Sequence, residues 1–136
     1  MPDIELLETI NVRGAHGKIY KIRVRSGSPA GQRLAAMKVP NEPDRGFASE
    51  MEIAELLRHY RHPYVVRFLA TGIPSDESFI LMDLHEEGDL EDVLRASGPL
   101  PVREALEIMI QVAEAIHFLH GLGIYHRDIK AENIIL

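Results

Sequence analysis

Apolar and polar positions along the first forty residues alternate with the period of two that strands require. Ile22 and Val24 alternate with Lys21, Arg23 and Arg25, which predicts a strand over residues 19–24. Residues 6–12 predict a strand before it, and residues 34–39 one after it, stopped by Pro40. Arg13-Gly14-Ala15-His16-Gly17 reads as a tight turn between the first two, and Ser26-Gly27-Ser28-Pro29-Ala30-Gly31 as a second turn. Beyond Pro43-Asp44-Arg45-Gly46 the period changes to that of a helix. Phe47, Met51, Ala54 and either Leu56 or Leu57 recur at spacings of three and four. The opening is thus an antiparallel three-stranded meander followed by a helix.

Residues 65–70 and 79–84 are short apolar runs on either side of Pro74-Ser75-Asp76-Glu77-Ser78, the pattern of a hairpin. Glu86-Glu87-Gly88 interrupts the pattern, and residues 90–94 predict a short helix ended by Ser97-Gly98-Pro99. Pro101 opens a long amphipathic helix. Its stripe carries Val102, Ala105, Leu106, Met109, Val112, Ala113, Ile116 and Leu119. Glu104 suits the positive end of the helix dipole, and Gly121 and Gly123 stop the helix. The expected boundary lies at Glu86-Glu87-Gly88, between a sheet-rich half and a helical half.

At 136 residues the chain holds one domain at most, and an apolar fraction of 46% can build its core. A net charge of −6 argues against a nucleic-acid partner. The absence of cysteine excludes disulfides, thiolate zinc sites and cysteine nucleophiles. Met1-Pro2-Asp3-Ile4-Glu5 lacks the features of a signal peptide, and no apolar run approaches spanning length. The expectation is a cytoplasmic or nuclear protein that does not enter a membrane.

The richest chemistry lies in Tyr125-His126-Arg127-Asp128-Ile129-Lys130-Ala131-Glu132-Asn133. Asp128 has the chemistry of a general base, Asn133 that of an oxygen ligand for a metal, and Lys130 offsets phosphate charge. Gly14 and Gly17 let backbone N–H groups approach a phosphate, and Lys38 ends a strand nearby in sequence. Glu50, Glu52 and Glu55 stand on the helix that follows. His117 and His120 have helical spacing, but no accompanying thiolate or carboxylate makes them a zinc site. They are read as surface or packing residues.

The spacing His-Arg-Asp-x-Lys-x-x-Asn resembles the catalytic loop of eukaryotic protein kinases. Residues 12–17 resemble the family's glycine-rich loop, with Val12 in place of the first glycine. Ala36-Met37-Lys38 resembles the Ala-x-Lys of the third strand. His62-Pro63-Tyr64-Val65-Val66 resembles the segment after the glutamate helix, and counting back from it favours Glu52 over Glu50. Phe79-Ile80-Leu81-Met82-Asp83-Leu84-His85 resembles the fifth strand and hinge, followed by the family's Gly88-Asp89-Leu90.

The resemblance implies an α+β, protein kinase-like fold. Residues 1–85 would be the small lobe and hinge, an antiparallel β-sheet with one helix. Residues 86–136 would be the first helices and catalytic loop of the large lobe. It implies ATP and Mg²⁺ as cofactors. Val12, Gly14, Gly17 and Lys38 would hold phosphates, and Ile19, Ala36 and Ile135 would wall the adenine. Met82 would be the gatekeeper, the Asp83 carbonyl and His85 backbone would bond the adenine edge, and Asp89 would reach the ribose. Asp128, Lys130, Lys38 and Glu52 would be catalytic, Asn133 would hold Mg²⁺, and His126 would be the loop's structural histidine.

Lys130, two positions past Asp128, resembles the serine/threonine branch, so the implied reaction is phosphoryl transfer to a protein Ser or Thr hydroxyl. The 136 residues contain no Asp-Phe-Gly, the family's second metal-binding segment. The expectation is a fragment inactive alone, with self-association through the helix of residues 101–120. The alternative is a non-catalytic kinase-like module that binds nucleotide or a partner.

Overall fold

A computed structural model describes residues 3–10, 17–25, 32–41, 45–72 and 78–136. The chain divides into a first unit of residues 1–61 and 66–84, and a second of residues 62–65 and 85–136.

The first unit is one antiparallel sheet with a helix. Its strands are β1 (Asp3–Ile10), β2 (Gly17–Arg25), β3 (Gln32–Pro40), β4 (Phe68–Gly72) and β5 (Phe79–Asp83), in the order β1-β2-β3-β5-β4. Strand β1 begins ahead of the expected residue 6 because the alternation already runs through Ile4, which faces Val24. Opposite residues of a ladder share a face, so register decides what each side carries. Ile22 faces Ala35, and both are fully buried with Leu81 in a cluster on one side of the sheet. On the other side Ile80 packs with Phe47 and Ala54 of α1 (Arg45–Leu57). Ile22 and Ile80 are the largest fully buried side chains among the described residues, each contributing roughly 1.5–3 kcal/mol.

The ambiguity in the helix stripe is resolved at its end. Leu57 is buried and Leu56 is 41% exposed. A second anchor of α1 is polar. Glu55 accepts hydrogen bonds from Thr71 Oγ1 at 2.8 Å and from Arg58 Nε at 2.7 Å. The Thr71 hydroxyl first, and then the Arg58 guanidinium, hold the Glu55 carboxyl below the usual carboxylate range.

In the second unit residues 62–65 form a turn. The Nδ1 of His62 accepts the Tyr64 N–H at 3.1 Å, its carbonyl accepts the Val65 N–H at 3.3 Å, and its ring lies 4.8 Å from that of Phe118. This turn consumes residue 65, expected to open the hairpin's first strand, and β4 starts at Phe68 instead. Helix α2 (Leu90–Ser97) runs three residues past the expected residue 94. Arg95 pairs with Glu91 one turn back at 2.9 Å, and the Gly98 N–H closes on the Leu94 carbonyl at 2.8 Å. Helix α3 (Val102–Gly121) follows Pro101, and Gly123, at a φ of 76°, ends it as expected.

The stripe on α3 is largely uncovered. Leu119 is its one buried residue, whereas Val102, Leu106 and Met109 are 76%, 57% and 47% exposed, and Ile110, one turn after Leu106 and beside the stripe, is 58% exposed. Among the described residues no helix is long and apolar enough to cross a membrane. The last residues return to α2. The Leu90 N–H donates to the Ile134 carbonyl at 2.8 Å, Asp89 pairs with Ile135, and the Leu136 N–H reaches the Gly88 carbonyl at 3.3 Å.

The Glu55 anchor generates a prediction with a definite sign. A carboxyl whose folded-state pKa is depressed stabilises the fold above its unfolded-state value, and that contribution disappears as pH falls through the folded value. Thr71→Val should raise the Glu55 pKa, read by carbon-detected NMR titration. It should also destabilise the chain more at neutral than at strongly acid pH. An unchanged Glu55 titration would remove the hydroxyl as its cause.

Candidate active site

Register gathers one group of the expected residues in the first unit. Ile19 faces Lys38, Lys38 faces Ile80, and Ala36 faces Met82. Ile19, Ala36, Lys38 and Met82 therefore share the side of the sheet on which Ile80 meets α1. Gly17 opens β2 opposite Pro40, where a Cβ would lie 2.4 Å from the Val39 carbonyl oxygen. Only glycine fits that approach. Val12 and Gly14 lie outside the described residues. Asp83 faces Ala35, so its side chain is on the opposite side, where it pairs with Arg33. Its N–H donates to the Arg67 carbonyl at 2.9 Å.

The glutamate that meets Lys38 corrects the expected choice. Lys38 Nζ lies 2.6 Å from Glu50 Oε1, and Glu50 and Glu52 are both exposed. The reason is helical geometry. At about 100° per residue, Glu50 falls between the buried Ala54 and Leu57, and Glu52 points roughly the opposite way. Counting back from His62 missed this, although the helix period already contained it.

A second group lies in the second unit, on the segment between α3 and residue 136. Asn133 Nδ2 donates to the Asp128 carbonyl at 2.8 Å and to Asp128 Oδ2 at 3.3 Å. Lys130 Nζ is 3.5 Å from the same Oδ2. The Asp128 N–H donates to His126 Nδ1 at 3.2 Å, so His126 braces the loop from within. Arg127 between them adopts a φ of 66°, a left-handed conformation that costs a non-glycine residue about 1–3 kcal/mol. Nothing in the sequence signalled it. A short 3₁₀ turn (Ala131–Asn133) closes the loop and turns the Asn133 amide back toward Asp128.

Asp128, Lys130 and Asn133 thus form one cluster of a carboxylate, an ammonium and an amide, open to solvent. With Nδ2 committed to Asp128, the Oδ1 of Asn133 is left as an oxygen donor suited to a hard divalent cation. Among the described residues no group of three His, Cys, Asp or Glu side chains is arranged to hold a metal. His85 is the exposed residue that opens the second unit's longer segment. Asp89, four residues on, caps α2 and lies across from Ile135.

The protein kinase domain model matches residues 12–136, and the chain belongs to that family. The fold is accordingly protein kinase-like, a small-lobe sheet with one helix plus the first helices and catalytic loop of the large lobe. The chain is 32% identical to human mitogen-activated protein kinase kinase kinase kinase 3 over 136 residues, covering 98% of this chain and 14% of that protein. It is 35% identical over 123 residues to a serine/threonine-protein kinase H1 homolog of Pinctada fucata, covering 90% of this chain and 28% of that one. A crystal structure of Rad53 1-466 in complex with AMP-PNP superposes with a TM-score of 0.81 at 27% identity, over 98% of this chain and 34% of that one. The chain thus spans a minor part of the relatives that it matches.

The half-exposed Lys38–Glu50 pair should add little to stability, under about 1 kcal/mol. Urea denaturation of Glu50→Gln should show a loss within that limit, and Glu52→Gln none. A larger loss from Glu52→Gln than from Glu50→Gln would reverse the assignment.

Proposed function

We propose that the chain is part of an ATP-dependent protein serine/threonine kinase domain, with residues 1–85 as small lobe and hinge and 86–136 as the start of the large lobe. The observation that carries this reading is the Asp128-Lys130-Asn133 cluster, held together by the Asn133 amide at 2.8 Å from the Asp128 carbonyl. Serine/threonine kinases among the relatives, and the nucleotide analogue in the Rad53 complex, support it.

In this reading Asp128 orients the substrate hydroxyl and accepts its proton. The hydroxyl oxygen bonds to the γ-phosphorus, the bond to the β–γ bridging oxygen breaks, and ADP leaves. Lys130 stabilises the negative charge on the moving phosphoryl group. Lys38, steadied by Glu50, binds the α- and β-phosphates. Ile19, Ala36 and Ile135 flank the adenine, Met82 limits the depth of its pocket, and Asp83 and His85 offer backbone groups to its edge. Gly17, with Val12 and Gly14, approaches the phosphates through backbone N–H groups. Asn133 would hold Mg²⁺, whose charge offsets that of the phosphates.

Calorimetry tests the nucleotide site directly. Lys38→Ala should weaken ATP binding by about 1.5–3 kcal/mol, the worth of a charge-assisted contact. Unchanged affinity would remove Lys38 from the site. Transfer of radiolabelled phosphate by the 136 residues alone should be negligible, because they contain no Asp-Phe-Gly to provide the second metal ligand. Ordinary turnover abolished by Asp128→Asn would overturn that expectation and strengthen the catalytic role of Asp128.

The exposed stripe on α3 supports self-association of the 136-residue chain. Each large side chain covered at such a contact gains roughly 1.5–3 kcal/mol. Sedimentation should show association at micromolar concentration, relieved by Leu106→Lys with Ile110→Lys. Monomers before and after substitution would defeat it.

A further inference from the structure

His126 is a titratable side chain bonded to the backbone of the residue expected as general base. Its Nδ1 accepts the Asp128 N–H at 3.2 Å. A backbone N–H only donates, so Nδ1 presents its lone pair and the single proton of the neutral ring sits on Nε2. The bond spans Arg127, whose φ of 66° is strained. It secures one side of that strained residue, while the Asn133 amide, 2.8 Å from the Asp128 carbonyl, secures the other. Protonation at Nδ1 turns the acceptor into a donor, and two donors then face each other. Histidine is the side chain whose ordinary charge change falls between about pH 5 and pH 8. The imidazole is exposed, so a proton reaches it from solvent without unfolding.

We propose that the loop of residues 126–133 is a proton-gated latch, in which neutral His126 holds Asp128 beside Lys130 and Asn133 and protonated His126 releases it. The latch is a property of the loop's own hydrogen bonds; its meaning as control of phosphoryl transfer rests on the catalytic reading of Asp128 above. The charged and titratable groups nearest along the chain are Arg127, Asp128, Lys130 and Glu132, with His120 and Tyr125 before them. Lys130 lies 3.5 Å from the Asp128 carboxylate and 4.0 Å from that of Glu132, and the His120 ring lies 5.0 Å from that of Tyr125. Helix α2, packed on the 3₁₀ turn, contributes Glu91, Asp92 and Arg95, and Arg95 sits in the field of Glu132. Among the described residues the Asp128 N–H is the one hydrogen-bond partner of the His126 ring. Release is therefore decided at that bond. Asparagine at the same position offers a side-chain oxygen to the N–H two residues on, as in an Asx turn, but it does not titrate.

The test is NMR on the 136-residue chain without nucleotide, with the protonation of His126 read from its ring nitrogen shifts. In the wild-type chain a scalar coupling across the hydrogen bond, between the Asp128 amide nitrogen and His126 Nδ1, should be present at about pH 8 and absent at about pH 5.5. Exchange protection of the Asp128 amide, corrected for its intrinsic rate, should fall by about tenfold over the same step, the worth of one hydrogen bond. The Asn133 side-chain amide should shift along with it. His126→Asn should keep the protection constant across that range, and His126→Ala should lose it at both ends. A coupling that persists once the ring is protonated overturns the proposal, as does one that is absent at the higher pH. So does a folded His126→Asn variant that retains the wild-type pH dependence, because another group would then move the loop. If His126→Ala fails to fold, the wild-type coupling and the asparagine variant still decide. A chain that shows the latch and binds no ATP defeats the nucleotide reading alone.

Discussion

The packing of Phe47 and Ala54 against Ile80 fixes what the rest of the first unit can do. A sheet has two sides, and a slip of one residue exchanges them. Because Ile80 must face α1, its ladder partner Lys38 faces the same way, and so does Ile19 beyond it. Ala36 and Met82 follow by the same alternation. A burial requirement met by three apolar side chains therefore decides where a charged one emerges. The same packing puts Glu50 on the sheet-facing side of α1, between the buried Ala54 and Leu57, where its exposed carboxylate reaches Lys38.

The second unit reaches its geometry by a different route. Its loop buries little, and Asp128, the residue of most interest, is well exposed. Local hydrogen bonds take the place of burial. Asn133 holds the Asp128 carbonyl, His126 holds the Asp128 N–H, and Arg127 accepts a strained backbone between them. Such strain persists only where neighbouring contacts over-determine the conformation, and the bonds on both sides of Arg127 do so. The loop's far end is then secured to the start of α2, so that the cap of one helix and the exit of the loop form a single structural element.

The two anchoring strategies carry different sensitivities. The sheet unit depends on volume, and a change at Ile22, Ala54 or Ile80 is paid in lost burial and a cavity. The loop unit depends on the identity of individual polar atoms, where an amide or imidazole has no apolar substitute. Substitutions that leave the sheet unit folded therefore leave open whether the loop retains its form, and the reverse holds as well.

Alternation and helical period by themselves determined the order of the elements, the side of α1 that is buried, and the residue types that carry chemistry. Ile22 and Val24 against Lys21, Arg23 and Arg25 specify a strand without any knowledge of its neighbours. The loop of residues 125–133 could likewise be read directly, because its groups are close in sequence and bond to one another. What the sequence did not decide was every feature that depends on a partner distant along the chain. Leu57 rather than Leu56 follows from where the sheet lies against α1. The turn at His62 that delays β4 depends on a ring of α3 more than fifty residues later, since Phe118 supplies the surface on which His62 rests. Spacing fixes what is near in the chain, whereas only packing selects among side chains that a helix or strand presents with nearly equal claim.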